Sequence, residues 1–197
     1  MPHIAFRRWI VACGALAALA ACQSAPPPRA EPSDIRFTDR PPIVLNVARI
    51  EIVNQFRPDY NPPRIEQRLP IPLPHAVENW ARDRLRAGGN SGVATVTIAD
   101  ASAIETAVPK KQDFSATFTD QVDRRYSGRV AVAISLNDGR GGSRMANSEA
   151  ERSQTATEGM SVDERERALY RFETELLAEF DRRAEADIRE HFAGYLR

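Results

Sequence analysis

The feature that most constrains this chain lies between residues 127 and 157. Residues 127–136 alternate, with Val130, Val132, Ile134 and Leu136 against Ala131, Ala133 and Ser135, which is the period of a half-buried strand. They lead into Asn137-Asp138-Gly139 with Gly141-Gly142 behind, a strong hairpin turn because those residues accept the positive backbone angles a tight reversal needs. Residues 143–157 should therefore return antiparallel. Ala146, Ser148, Ala150, Arg152 and Gln154 fall on one side of that strand, and Asn147, Glu149, Glu151, Ser153 and Thr155 on the other. It is polar on both faces, as suits a sheet edge. Its unpaired backbone groups make Asn147, Glu149, Glu151 and Ser153 a candidate partner edge, although the charges at Glu149, Glu151 and Arg152 equally suit a strand that repels pairing.

The remaining elements follow from period and punctuation. Residues 43–53 carry Ile43, Leu45, Val47, Ile50, Ile52 and Val53 and predict a strand bulged near Arg49. Six prolines in residues 57–74 predict a long extended loop. Val77, Trp80, Ala81 and Leu85 recur at helical spacing from His75, with Trp80 as core anchor and Gly88-Gly89-Asn90 as the stop. A strand is expected at 93–99. Residues Thr119 to Arg125, between Phe118 and Tyr126, are open to loop or strand. Ser161 and Glu164 form a capping box for a helix from Val162 to about Ala193, whose Leu169, Phe172, Leu176, Phe180, Ala184, Ile188 and Phe192 share one face. At 1.5 Å per residue it would be about 48 Å long, more than a four-stranded sheet covers, so its end should bend or project. The fold class is α+β, in the order β-α-β-β-β-α: a mixed four-stranded sheet with two helices on one face.

The first residues have a different build. Arg7 and Arg8 precede a stretch from Trp9 to Ala21 without charge, too short for a membrane span of about 20 residues and arranged like an export signal. It ends in Leu19-Ala20-Ala21-Cys22, which resembles the lipobox of bacterial lipoproteins. The resemblance implies cleavage between Ala21 and Cys22 and acylation of Cys22, hence stable anchoring. Gln23, where an aspartate would retain the protein at the inner membrane under the enteric sorting rule, implies the outer membrane, with the folded part on its periplasmic side. Residues 1–21 are then the signal peptide. Residues 22–42, with Pro26-Pro27-Pro28, Pro32 and Pro41-Pro42, are a lipid-bearing tether of extended chain. Residues 43–197 form a single domain.

Composition narrows the function. Cys13 leaves with the leader and Cys22 is acylated, so the mature chain has no thiol to pair and must hold together by its core. The leader removes Arg7 and Arg8 from 27 basic residues and none of the 27 acidic ones, leaving 25 against 27. That balance does not suit a nucleic-acid partner. No metal or cofactor site is expected: His75 and His191 lack partners at ligand spacing, and no nucleophile elbow or phosphate-binding loop is present. Glu173, Glu175 and Glu179 stand among arginines and read as a solvated salt-bridge face. No catalytic residue is expected.

The leader together with the β-α-β-β-β-α order resembles the small envelope lipoproteins that assist lipopolysaccharide assembly or lipid-transport ATPases. The expectation is a membrane-anchored accessory or adaptor of an envelope protein complex. The alternatives are an auxiliary that binds an amphipathic lipid, favoured by an apolar cavity, and an enzyme without a recognisable motif.

Overall fold

A computed structural model describes residues 33–109 and 122–197. Its elements are β1 (Ile43–Leu45), β2 (Arg49–Asn54), α1 (Leu73–Arg84), β3 (Leu85–Ala87), β4 (Val93–Ala107), β5 (Val122–Asn137), β6 (Ser143–Thr157) and α2 (Val162–His191). The fold is α+β, around a mixed sheet of order β2-β4-β5-β6 in which β2 runs parallel to β4 and the other neighbours are antiparallel. One face of the sheet is apolar: Val96, Ile98, Val130, Ile134, Leu136, Ala146 and Ala150 are buried. α1 covers its β4 side and α2 its β5–β6 side.

The hairpin forms as its turn residues dictate. Asp138 N–H bonds the carbonyl of Gly142 at 3.1 Å, and Gly139 takes φ +73°, a region in which a Cβ would be strained. The register runs from Asn137 opposite Ser143 to Arg124 opposite Ala156. At the start of α2 the capping box is complete, with the Ser161 hydroxyl accepting from Glu164 N–H and the Glu164 carboxylate accepting from Ser161 N–H.

Five expectations are corrected. The strand expected over 43–53 is two strands. β1 pairs in parallel with β3 in a separate two-stranded sheet, β2 joins the main sheet, and Asn46 to Ala48 carry the chain between them. The first helix stops at Arg84 and not at Gly88-Gly89. Those glycines serve close approach instead: a Cβ on Gly89 would lie 2.7 Å from the backbone of Asn46 and Val47. β4 continues past residue 99 to Ala107 through a bulge between Ile98 and Asp100. The extra residue shifts the alternation, so Ala94, Val96 and Ile98 are followed inward by Ala101 and Ala103. β5 begins at Val122, which makes residues 122–125 strand, while Phe118 and residues 119–121 lie outside the described residues. With 16 residues, β5 is about 53 Å long at 3.3 Å each. α2 therefore lies along the sheet without projecting, and burial continues through Ile188 to Phe192.

The fifth correction concerns residues 33–42, expected to be tether. Ile35 and Phe37 are 7% and 6% exposed and belong to the core. The segment is extended, as its prolines and charges suggest. The alternation of Ile35 and Phe37 with exposed Asp34, Arg36 and Thr38 lets it insert two side chains beside α1 and α2.

Candidate functional site

β6 is the outer strand of the sheet. The bond from Asp138 N–H to Gly142 and the unbroken register that follows place the backbone groups of Ala146, Ser148, Ala150 and Arg152 toward β5. Those of Asn147, Glu149, Glu151 and Ser153 then point outward, by the alternation of an antiparallel ladder. The four residues singled out in the sequence form one outward row. Their side chains stand on the open face of the sheet, where Arg129 of β5 donates to both oxygens of Glu149 at 2.8 and 2.6 Å and lies 3.4 Å from Glu151. This guanidinium holds the Glu149 carboxyl below its ordinary range. The Ser153 and Ser127 hydroxyls are bonded at 2.8 Å.

The edge is less bare than its composition implies. Ala146, Ser148, Ala150 and Ala156 are buried, so α2 secures the strand as well as the ladder does. The Ser148 hydroxyl donates to Asp187 at 2.7 Å, and Arg152 pairs with Glu175. Arg183, which sequence reasoning missed, donates at 3.2 Å to the Glu149 carbonyl, one of the outward groups. Its spacing from Glu179 suggests only an i,i+4 pair, which it also makes at 2.7 Å. The second contact depends on where α2 lies.

A second concave region opens where the Pro-rich loop meets the ends of β4 and β5. This cavity of about 570 Å³ has Tyr60, Arg64, Arg68, Glu105, Asp123 and Arg124 among its lining residues. Burial pushes the Glu105 carboxyl up, but Arg124 at 2.7 Å and Arg68 outweigh it and hold it low. Three arginines and two carboxylates share this cleft with Pro62, Pro63, Ile65, Ala107 and Val108, so its walls are both charged and apolar. Beside it, Tyr126 is fully buried, and its hydroxyl has no hydrogen-bond partner among the described residues.

The carboxylates of α2 divide. Glu175 and Glu179 form the expected salt bridges, to Arg152 and to Arg182 and Arg183. Glu173 does not. It is fully buried, accepts a long bond from Ile71 N–H at 3.4 Å, and its other oxygen has no partner among the described residues. Burial pushes its carboxyl up to about 8. Two turns on, Asp181 accepts from Trp80 Nε1 at 2.9 Å and Arg84 Nε at 2.8 Å, while Glu185 takes Arg84 Nη2 at 2.6 Å. Trp80 is the expected core anchor, fully buried and edge-on to Phe180 at 4.9 Å.

The histidines are far apart in the fold. His75 lies 3.4 Å from Asp34 and His191 is in the last turn of α2. Among the described residues no group of three or more His, Cys, Asp or Glu could hold a metal. Ala21 and Cys22 lie outside the described residues.

No protein-family model matches the chain, and no curated protein matches it. Among solved structures it is similar to a minor lipoprotein from Acinetobacter baumannii, at 12% identity over 70% of this chain and 90% of that one, with a TM-score of 0.34. It is also similar to the rare lipoprotein B from Shewanella oneidensis, at 11% identity over 72% of this chain and 89% of that one, with a TM-score of 0.32. Likenesses of this size do not say what the present chain does.

Proposed function

We propose that this chain is an exported lipoprotein, cut between Ala21 and Cys22, acylated on Cys22 and held at the periplasmic side of the outer membrane, where it serves as an accessory or adaptor of an envelope protein complex. The lipobox-like Leu19-Ala20-Ala21-Cys22 supports the anchor. The outward row on β6 carries the adaptor reading, because an extended segment of a partner can add to such an edge through main-chain bonds. An interior filled by Trp80, Phe172, Phe180 and Phe192 supports a protein partner over an amphipathic lipid, which would need an apolar cavity inside the fold.

Two experiments test the two halves. Cys22→Ala should leave the chain uncleaved by the lipoprotein peptidase and without fatty-acid label. A variant that still fractionates as a labelled lipoprotein would refute the anchor. For the edge, proline is placed singly along β6. At Asn147, Glu149, Glu151 and Ser153 the lost N–H points outward, so the domain should keep its melting temperature within a few degrees while co-purification of the envelope partner is lost. At Ser148, Ala150 and Arg152 the lost N–H faces β5, and the same substitution should destabilise the fold by about 1–3 kcal/mol, because it strands a ladder carbonyl of β5. Retention of the partner by all four outward variants would rule the edge out, as would binding losses that merely track unfolding.

A further inference from the structure

We propose that residues 33–40 form a releasable strap between α1 and α2, and that its release sets how far the domain can stand from its membrane anchor. This rests on the anchored-lipoprotein reading above. The strap belongs to neither sheet, and side chains hold its backbone. Tyr170 Oη donates to Ser33 O at 3.0 Å, Asn79 Nδ2 to Ile35 O at 3.5 Å, and Phe37 N–H donates to Asp83 at 3.0 Å. Its ends are pinned by ion pairs: Arg36 Nε donates to Asp83 at 2.8 Å, and Arg40 lies 3.2 Å from Glu185. Both arginine side chains are about half exposed, at 54% and 42%, against 5% and 23% for their partners Asp83 and Glu185, so salt and water reach the cation of each pair. Only Ile35 and Phe37 insert into the core. A segment outside both sheets, held by two apolar anchors, a few side-chain bonds and half-exposed arginines, sits at the low end of local stability in a domain whose sheet is continuous.

Release changes reach by chain length alone. With the strap seated, the eleven peptide steps from Cys22 to Ser33 span at most about 40 Å. With the strap free, the nineteen steps from Cys22 to Pro41, whose carbonyl Arg84 holds, span up to about 68 Å. The sheet and helices need not change for the domain to move between a membrane-proximal and a distal position.

The test uses the full chain. Hydrogen exchange compares the Phe37 amide, which is hydrogen-bonded and buried, with the amide of Val132 in β5. The strap predicts that Phe37 exchanges about 100-fold faster or more, with little dependence on denaturant below the unfolding midpoint. Equal rates would mean that 33–40 opens only with the whole domain and would overturn the proposal. Reach is read on the lipidated chain in vesicles of phosphatidylethanolamine and phosphatidylglycerol, with a donor dye at Met145→Cys and an acceptor in the lipid. Ile35→Ala with Phe37→Ala should lower energy transfer while the vesicle-bound fraction stays constant and β5 stays protected. Unchanged transfer in that variant overturns the reach. Failure of the parent chain to bind vesicles overturns the anchor and with it the reach, while the exchange ratio still decides the strap.

Discussion

Glu173→Gln should make the domain more stable at alkaline pH and leave it nearly unchanged near pH 5. The Glu173 carboxyl is pushed up to about 8 by burial, against roughly 4.3 in an unfolded chain. Between those values the unfolded state gives up its proton and the folded state keeps it, so stability falls as pH rises, by about 1.4 kcal/mol per unit. Across the window the loss comes to about 3–5 kcal/mol. Glutamine keeps an acceptor for Ile71 N–H and cannot ionise, so the loss should vanish with it. The depressed carboxyls act with the opposite sign. Asp83, held low by Arg36, and Glu149, held low by Arg129, stabilise the fold above their unfolded values and cease to do so as pH falls through the folded ones. They are common to both chains and cancel in the difference. Urea midpoints of the two chains at pH 5, 7 and 9, with equal slopes, measure it. Parallel curves would show that Glu173 is not held neutral in the fold.

Asp181→Ala should cost about 3–5 kcal/mol, because it leaves a buried cation short of its partner. Arg84 is 1% exposed and would retain Glu185 and the Pro41 carbonyl but lose its Nε acceptor. The Trp80 N–H, also buried, would lose the one acceptor it has among the described residues, a further penalty of about 1–3 kcal/mol. The second substitution Arg84→Met removes the stranded charge while filling similar volume. The pair Asp181→Ala with Arg84→Met should therefore be more stable than Asp181→Ala alone, as buried ion pairs exchanged for apolar groups often are. If the two losses simply add, Asp181 and Arg84 are not coupled and the buried charge pair is not what Asp181→Ala breaks.

The sequence sets Glu173 on a solvated face and does not single out Asp181, for one and the same reason. Along α2, Phe172, Leu176, Phe180, Ala184 and Ile188 form a four-residue ridge that meets the sheet, and the pattern is plain in the sequence. The adjacent ridge of Leu169, Glu173, Leu177 and Asp181 is also buried, because the Pro-rich loop, α1 and the strap cover it. A carboxylate on the flank of an amphipathic helix looks solvated until the elements that bury it are known. The candidate edge fared differently. Asn147, Glu149, Glu151 and Ser153 could be named as one row from alternation and the turn alone, whereas Arg183 on the Glu149 carbonyl and the arginines around Glu105 could not.

What the sequence by itself determined is whatever lies within one or two turns of chain. That covers the hairpin closed at Asn137-Asp138-Gly139, the capped start of α2 at Ser161, the period of β5, and hence the α+β class and the position of β6 at an edge. These features depend on backbone preferences and on a repeat that neighbouring residues share. Tertiary structure alone decided the rest: the division of 43–53 between two sheets, the continuation of β4 through its bulge, the seating of Ile35 and Phe37, and the burial of Glu173, Arg84 and Asp181. Each depends on which distant surface removes a side chain or strand edge from water, and no local pattern carries that information.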